Sequence, residues 1–508
     1  MSRMTRVRTF LPDSSRCRAR AIIAAAILLL VPAMVRADPD VIRAVTDSPS
    51  FETRLRTLCD ELGPRVAGTP GMARAADWAL KQFQAAGVDG AWLEPFEIPR
   101  TWTDEGAKIR ITEPAEFELK AVSTAWSPST PPQQQDLEVV LSDGLGEGSV
   151  SRLGAKARGR AVLVLLDEAK SFYAMGVQEG NAIRAMREAP EAGAAAILFA
   201  SIKPNRILFR HVHSIDARMD PVPSAVLGRE DALRVGRLIE SGQTVKSSVS
   251  IATKQGGPVQ GINVVGEIRG SETPGEVVIL GAHLDSWDLG AGCLDNGVNA
   301  VGVIEAAQAI IASGKRPKRT TRFVLFDGEE YGLFGSRAYV RRHRDELDSV
   351  AAVIVHDMGQ DRIQGYALGG RPELEPGLRE AMSRIDDARG MRHTRDAFIG
   401  SDHFDFQLEG VPALVAMQDT GSYVLPYHSE VDTYDKVDLG QVRARASIAA
   451  ATVFGLADAD QRIGPRLDRE GVEMLLQRSG MADQMKFLEL WDDWESGKRG
   501  RQATPANP

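Results

Sequence analysis

The feature that most constrains the fold is a series of unbroken apolar runs between residues 262 and 458. The runs are Val277–Leu280, Phe323–Phe326, Ala351–Val355 and Ala413–Met417, and helical patterns lie between them, notably at Val298–Ser313 and Leu439–Leu456. A strand that is buried on both faces is apolar at every position, and such strands belong to parallel sheets that helices cover. We therefore predict an α/β fold with a mainly parallel central sheet flanked by helices.

Acidic and histidine residues follow each of these runs or end the loops between them. In an open α/β sheet, functional groups collect beyond the carboxyl ends of the strands. We therefore expect the polar residues at these points to meet at one edge of the sheet. In chain order they are His283, Asp285, Asp295, Glu329, Glu330, Asp357 and His428.

These residue types suit a pair of metal ions. A hydrolytic two-metal site needs an oxygen ligand between the ions, about one carboxylate and one imidazole for each ion, and a position for water. We predict two Zn²⁺ per chain, the first held by His283 and Asp357 and the second by His428 and Glu330. Asp295 would bridge them. Three carboxylates and one hydroxide offset the charge of both ions.

The two remaining carboxylates have other predicted roles. Glu329 is adjacent to a ligand but is not needed as one, so it can accept a proton from a metal-activated water and pass it to the leaving amine. We predict that it is the general base. Asp285 comes two residues after His283 and can accept the other N–H of that imidazole, which would fix its tautomer.

Several segments resemble a known family. GAHLDSWDLGAGCLDNGVNA, FDGEEYGLFGS, VIVHDMG and YHSEVDTYDKVD are similar to the zinc aminopeptidase and glutamate carboxypeptidase family, and HLDSWD, GKRPKRTTRFVL, LGPRVAGTPGMARAADWAL and LEPFEIP resemble its plasma glutamate carboxypeptidase branch. The resemblance extends from about Asp38 to Asp458. It implies a zinc-exopeptidase fold with a protease-associated-like α/β insert, and the same ligands and base. Asn296 departs from the branch, which usually has Asp after the bridging carboxylate.

The resemblance also suggests residues on the substrate side. GSDHFDFQLEGVPAL fits the substrate-side loop and final strand of the family. We therefore treat His403 as a candidate for the substrate cleft, together with Tyr427 next to His428.

The predicted function is that of an exported zinc metallo-exopeptidase acting on dipeptides or short peptides. An aminopeptidase with broader peptide substrates would share every catalytic residue. A zinc cyclotransferase on the same fold would use one metal. A catalytically inactive, receptor-like module would have lost ligands, whereas all the predicted ligands and the base are present here. The side-chain preference and the choice between amino- and carboxyl-terminal recognition stay open.

The rest of the chain divides into segments by composition. Residues 1–37 have a basic start, the apolar run Ala21–Val31 and a small-residue exit, which predicts a signal peptide cleaved after Ala37. The run is too short to span a bilayer. A proline-rich linker at Ser127–Gln135 predicts the start of the insert, residues 127–256. The peptidase domain would then occupy 38–126 and 257–460, and 461–508 would be a helical tail with a disordered end.

Charge and cysteine content limit the partners. The net charge is −8, so the chain has no basic excess for nucleic acid or for an anionic membrane. We expect a peptide substrate, no nucleic acid, and no membrane once the signal is removed. The oligomeric state is left open, with a homodimer as one alternative. Cys59 and Cys293 would form either a disulfide or two free thiols.

Overall fold

The computed structural model describes residues 39–502 and contains two β-sheets with helices packed around them. The strands are β1 (Gly90–Ile98), β2 (Thr101–Glu113), β3 (Phe117–Leu119), β4 (Ala121–Ser123), β5 (Asp136–Leu141), β6 (Ala161–Val164), β7 (Ala196–Ala200), β8 (Ser224–Leu227), β9 (Val245–Gly256), β10 (Val259–Ile268), β11 (Thr273–His283), β12 (Arg319–Phe326), β13 (Val350–Val355), β14 (Ile363–Ala367) and β15 (Ala413–Gln418). The helices are α1 (Pro39–Thr46), α2 (Phe51–Arg56), α3 (Pro70–Ala86), α4 (Phe172–Ala192), α5 (Arg229–Glu240), α6 (Val298–Ala312), α7 (Phe334–Arg342), α8 (Glu375–Ala381), α9 (His403–Leu408), α10 (Leu439–Asp458), α11 (Arg469–Arg478), α12 (Met481–Phe487) and α13 (Trp491–Glu495).

The first sheet has the strand order β1-β10-β12-β11-β13-β15-β14. Its four inner strands β12, β11, β13 and β15 run parallel, and they are the four apolar runs of the sequence. Strands β1, β10 and β14 pair antiparallel at the edges. The predicted α/β fold class is confirmed, with antiparallel strands at both edges of a parallel centre.

Helices α6 and α10 cover one face of this sheet. Most of α6 is apolar and buried, because β11 and β12 lie on one side of it and α1, α3 and α10 lie on the other. Apolar residues around the whole circumference are typical of a helix that is enclosed in this way. The resulting core joins both helices to alternate residues of the strands, including Leu280, Phe323, Ile354 and Leu414.

The second sheet has the order β3-β2-β9-β5-β6-β7-β8-β4. Its long antiparallel pair, β2 with β9, joins residues about 140 positions apart, as in Ile109 opposite Val249. Strands β2, β3 and β4 precede residue 127, so the predicted insert boundary falls inside this sheet. The predicted linker is also packed against the sheet. Ser127 is buried and its carbonyl accepts the indole N–H of Trp102 at 2.9 Å, and the N–H of Thr130 donates to the carbonyl of Ile251 at 2.9 Å.

The ends of the chain differ in what can be described. The predicted signal peptide, residues 1–37, lies outside the described residues, as do the last six residues of the predicted tail. The earlier part of the tail forms α11, α12 and α13, which pack around Trp494. Cys59 and Cys293 are buried free thiols in one cluster. Across residues 39–502, no helix combines the length and the apolar character needed to cross a membrane.

Candidate metal centre

The parallel strands bring the predicted ligands to one edge of the first sheet. His283 is the last residue of β11 and lies opposite Phe326, the last residue of β12. The chain leaves β12 into the loop that carries Glu329 and Glu330. Asp357 follows β13 by two residues. Because the strands are parallel and in register, their ends deliver these side chains to a common rim.

Asp295 lies between two imidazoles. Its Oδ1 is 3.4 Å from Nε2 of His283, and its Oδ2 is 3.5 Å from Nε2 of His428. A second carboxylate accompanies each imidazole: Oδ1 of Asp357 is 3.5 Å from Nε2 of His283, and Oε2 of Glu330 is 2.8 Å from Nε2 of His428. The five groups therefore form two half-sites that share Asp295.

The chemistry of these groups fits bound metal. Oδ2 of Asp295 and Oε1 of Glu330 are buried and accept no hydrogen bond from any described residue. Burial raises the pKa of the Glu330 carboxyl well above its usual range, and the charge of Asp295 raises it further. Buried carboxylates without partners are costly, and a divalent cation removes that cost. Ligand atoms of His283, Asp295 and Glu330 lie within 4.8 Å of one another.

Glu329 takes no part in these contacts, but it lines the cavity next to the candidate ligands. Burial raises the pKa of its carboxyl well above the usual range. The loop that carries it is held by Asp285, whose Oδ1 and Oδ2 accept the backbone N–H groups of Glu329 and Glu330, each at 3.2 Å. Nδ1 of His283 lies 3.1 Å from the backbone carbonyl oxygen of Asp285 and 3.6 Å from its Oδ1. Asp285 thus reaches the imidazole chiefly through its main chain, and its carboxylate orients the loop.

Comparison with known proteins relates part of the chain to a peptidase family. Residues 263–453 match the model of peptidase family M28, and this segment holds all five candidate ligands. Over this segment the chain is similar to the peptidases of family M28. It is 28% identical to carboxypeptidase Q from Bos taurus over 416 residues, which cover 82% of this chain and 86% of that protein. The predictions of the family and of a peptidase are confirmed.

Solved structures agree with this similarity. The crystal structure of a peptidase M28 precursor from Shewanella amazonensis SB2B is 25% identical and superposes with a TM-score of 0.77, covering 85% of this chain and 98% of that one. A zinc aminopeptidase from Bacillus subtilis is 19% identical with a TM-score of 0.64, covering 82% of this chain and 97% of that one. The second likeness concerns the fold.

Two residues that the sequence did not reveal support the candidate ligands. Ser401 donates its hydroxyl to Oδ2 of Asp357 at 2.7 Å. Asp432 accepts the backbone N–H groups of Leu294 and Asp295 at 2.7 and 3.0 Å. Burial raises the pKa of Asp432 to about 7. The available signal for Asp432 was its place four residues after His428, within the quoted YHSEVD segment.

Asn296 takes part in a hydrogen-bond chain behind the site. Its Nδ2 donates to the carbonyl oxygen of His356 at 3.0 Å, and its Oδ1 accepts from Nδ2 of Asn299 at 2.6 Å. Asn299 in turn accepts from Nε of Arg445, and Nη2 of Arg445 donates to the backbone carbonyl of Asp357 at 2.8 Å. The amide of residue 296 is used both as a donor and as an acceptor, which a carboxylate cannot do.

The cavity above the candidate ligands has a volume of about 240 Å³, and residues from both sheets line it. Tyr427 lines it as predicted and stacks on His428 with ring centroids 3.7 Å apart. His403 lies outside this lining: its ring is buried against the loop below, with Nε2 3.0 Å from the carbonyl oxygen of Phe398. Helix α4 contributes Glu179, and the loop before β8 contributes His213. The sequence had pointed to neither residue.

Proposed function

We propose that this M28 peptidase is an exported two-zinc exopeptidase that hydrolyses dipeptides or short peptides. The observation that carries the proposal is the position of Asp295, with one carboxylate oxygen turned toward His283 and the other toward His428. A carboxylate in this position can bridge two ions. Asp357 and Glu330 supply one further carboxylate to each half-site, which supports the same assignment.

The chain's own residues divide the work of hydrolysis. Bound zinc would act as a Lewis acid that polarises the scissile carbonyl and acidifies water. Glu329 accepts the proton of the attacking water and transfers it to the leaving amine. Asp285 positions that carboxylate by holding the backbone N–H groups of Glu329 and Glu330. The cavity has a limited volume of about 240 Å³, and residues of α4 line part of it. This size favours short substrates over folded ones.

Metal removal and replacement test the proposal. The purified protein is stripped with a chelator, and hydrolysis of a dipeptide panel is followed as zinc is returned. We expect no hydrolysis without metal, a retained circular dichroism spectrum, and full recovery near two zinc ions per chain, because a two-metal site needs both ions. Full activity with one tightly bound metal would contradict the bridging role of Asp295.

A pair of variants isolates the bridge. Asp295→Asn should lower the zinc content and abolish hydrolysis, because an amide cannot supply two anionic oxygens. Asp386→Asn is the matched control: Asp386 is an exposed aspartate that pairs with Arg389. It should keep the zinc content and activity of the parent. If Asp295→Asn also kept both ions, the proposed bridge would be wrong.

Export rests on the character of residues 1–37. The basic start, the apolar run Ala21–Val31 and the small-residue exit favour removal of this segment by a signal peptidase. We expect amino-terminal sequencing of the protein recovered outside the cytoplasm to begin at Asp38. Recovery of the uncleaved chain in the cytoplasm alone would refute this part of the proposal.

A further inference from the structure

Glu179 is a carboxylate that the proposed metal chemistry leaves unused. It lies on α4 and lines the same cavity as the candidate ligands. Within residues 39–502 its side chain makes no hydrogen bond and no direct ion pair. Burial raises the pKa of its carboxyl, and the charge of Lys203 offsets part of that rise. A carboxylate in this setting is stabilised by a ligand that brings a positive charge.

The charged side chains that line the cavity are mainly acidic. Among its described lining residues there is no lysine or arginine, and the acidic members are Glu179, Asp295, Glu329, Glu330 and Asp357. Bound zinc would offset the negative charges of the three carboxylates among the candidate ligands, and Glu329 is the proposed base. The charge of Glu179 is then left over. A substrate carboxylate next to it would meet a like charge, whereas an ammonium group would meet an opposite one.

Aromatic rings line the same cavity. Phe172, Tyr423 and Tyr427 all line it, and the ring of Phe172 lies 6.0 Å from that of Tyr423 and 5.6 Å from that of Tyr427. The faces of such rings attract cations. They therefore add to the preference for an ammonium group that Glu179 creates.

Three cations close to the cavity are already engaged. Lys203 is buried outside the lining, and its ammonium group donates to the carbonyl of Val424. Arg187 and Arg218 line a neighbouring cavity, and both pair with Glu489. These groups are therefore not free to receive a carboxyl terminus at the metal centre.

We propose that Glu179 binds the free α-ammonium group of the peptide substrate, so that the enzyme acts from the amino end. This inference rests on the proposed function and assigns the end of the substrate that is recognised. The first side chain would meet an apolar wall, which suits an aliphatic residue; the wall consists of Ile183, Val212, Ile215, Leu333, Ile399 and Leu488.

Blocked dipeptides test the inference in the zinc-loaded protein. Leucyl-alanine and leucyl-alanine amide should be hydrolysed with similar kcat/KM, and N-acetyl-leucyl-alanine at least about 100-fold more slowly. Glu179→Gln should lower kcat/KM for leucyl-alanine about 10- to 100-fold, mainly through KM, and should leave the acetylated peptide unaffected. Glu191→Gln is the matched control, since Glu191 is exposed on the same helix. Its kinetics should equal those of the parent.

A binding measurement separates this inference from the proposed function. Calorimetry with leucinol and N-acetyl-leucinol needs no turnover, because leucinol has no bond to hydrolyse, and we expect only the first to bind, with affinity lost in Glu179→Gln. If no peptide is hydrolysed but this binding pattern holds, the proposed function fails and the role of Glu179 stands. If the acetylated ligand binds equally well, or if the carboxyl amide alone blocks hydrolysis, the role of Glu179 is overturned.

Discussion

The hydroxyl of Ser401 donates a hydrogen bond to Oδ2 of Asp357 at 2.7 Å. This contact leaves Oδ1 of Asp357 facing His283, 3.5 Å from its Nε2. A hydrogen bond of this kind fixes which oxygen of a ligating carboxylate is presented to the metal. Ser401 thus orients one ligand of the half-site that His283 completes.

Ser401→Ala should therefore weaken zinc binding about 10- to 100-fold, because Asp357 keeps the hydrogen bond from the backbone N–H of Met358 but loses the one that holds Oδ2, and it must be ordered further when metal binds. The measurement is a competition titration of the protein against a fluorescent zinc chelator. Ser422→Ala is the control, since Ser422 is an exposed serine that hydrogen-bonds to Asp361. Equal zinc affinity in both variants would show that Ser401 does not orient the ligand.

The adjacent carboxylates Glu329 and Glu330 should respond differently to the same substitution. Glu329→Gln keeps the shape of the side chain but removes its basic oxygen, so both zinc ions should stay while kcat falls by about 10²–10⁴. Glu330→Gln should weaken one metal, and excess zinc should restore part of the activity. Zinc content and kcat of both variants, measured side by side, distinguish the roles. Loss of zinc in Glu329→Gln alone would reverse the assignment.

The sequence was sufficient to predict the four parallel strands of the first sheet and to suggest the candidate ligands for a physical reason. Strands buried on both faces are apolar throughout, so β11, β12, β13 and β15 are visible as unbroken runs. His283, Glu330 and Asp357 lie at or shortly after the ends of β11, β12 and β13, whereas Asp295 and His428 lie farther along the loops that follow β11 and β15. For these three residues, local sequence therefore indicated both the strand and the candidate ligand at its end.

The second sheet, and the cavity residues that lie in its segment of the chain, depend on contacts between distant parts of the chain. Strand β2 pairs with β9 about 140 residues later, and no local pattern specifies that partner. Glu179 and His213 reach the cavity only because the second sheet packs over the first. The periodicity of their own segments contains no information about that packing.

The centre of the first sheet should be the part most sensitive to loss of volume. Ile354 lies in β13 between Leu280 of β11 and Leu414 of β15, and its side chain is fully buried. Ile354→Ala should lower the free energy of unfolding by about 2–5 kcal/mol, through lost burial and a residual cavity. Denaturant unfolding measures the change. Met474→Ala, at a side chain that is 58% exposed, should change it by less than about 0.5 kcal/mol.

Asn296 offers a test of the one position at which the sequence departs from the branch it resembles. Asn296→Asp replaces the amide N–H group that donates to the carbonyl oxygen of His356 by a carboxylate oxygen, which repels that carbonyl. The hydrogen bond from Asn299 to the other oxygen can persist. Residue 296 is not a candidate ligand, so zinc content should be unchanged. The free energy of unfolding should fall by about 1–3 kcal/mol, the cost of an unsatisfied buried acceptor. Denaturant unfolding of the zinc-loaded protein measures this, with the exposed Asn205→Asp as control. A variant as stable as the parent would mean that the hydrogen bond to His356 contributes nothing to the free energy of unfolding, and that Asn and Asp are equivalent at residue 296.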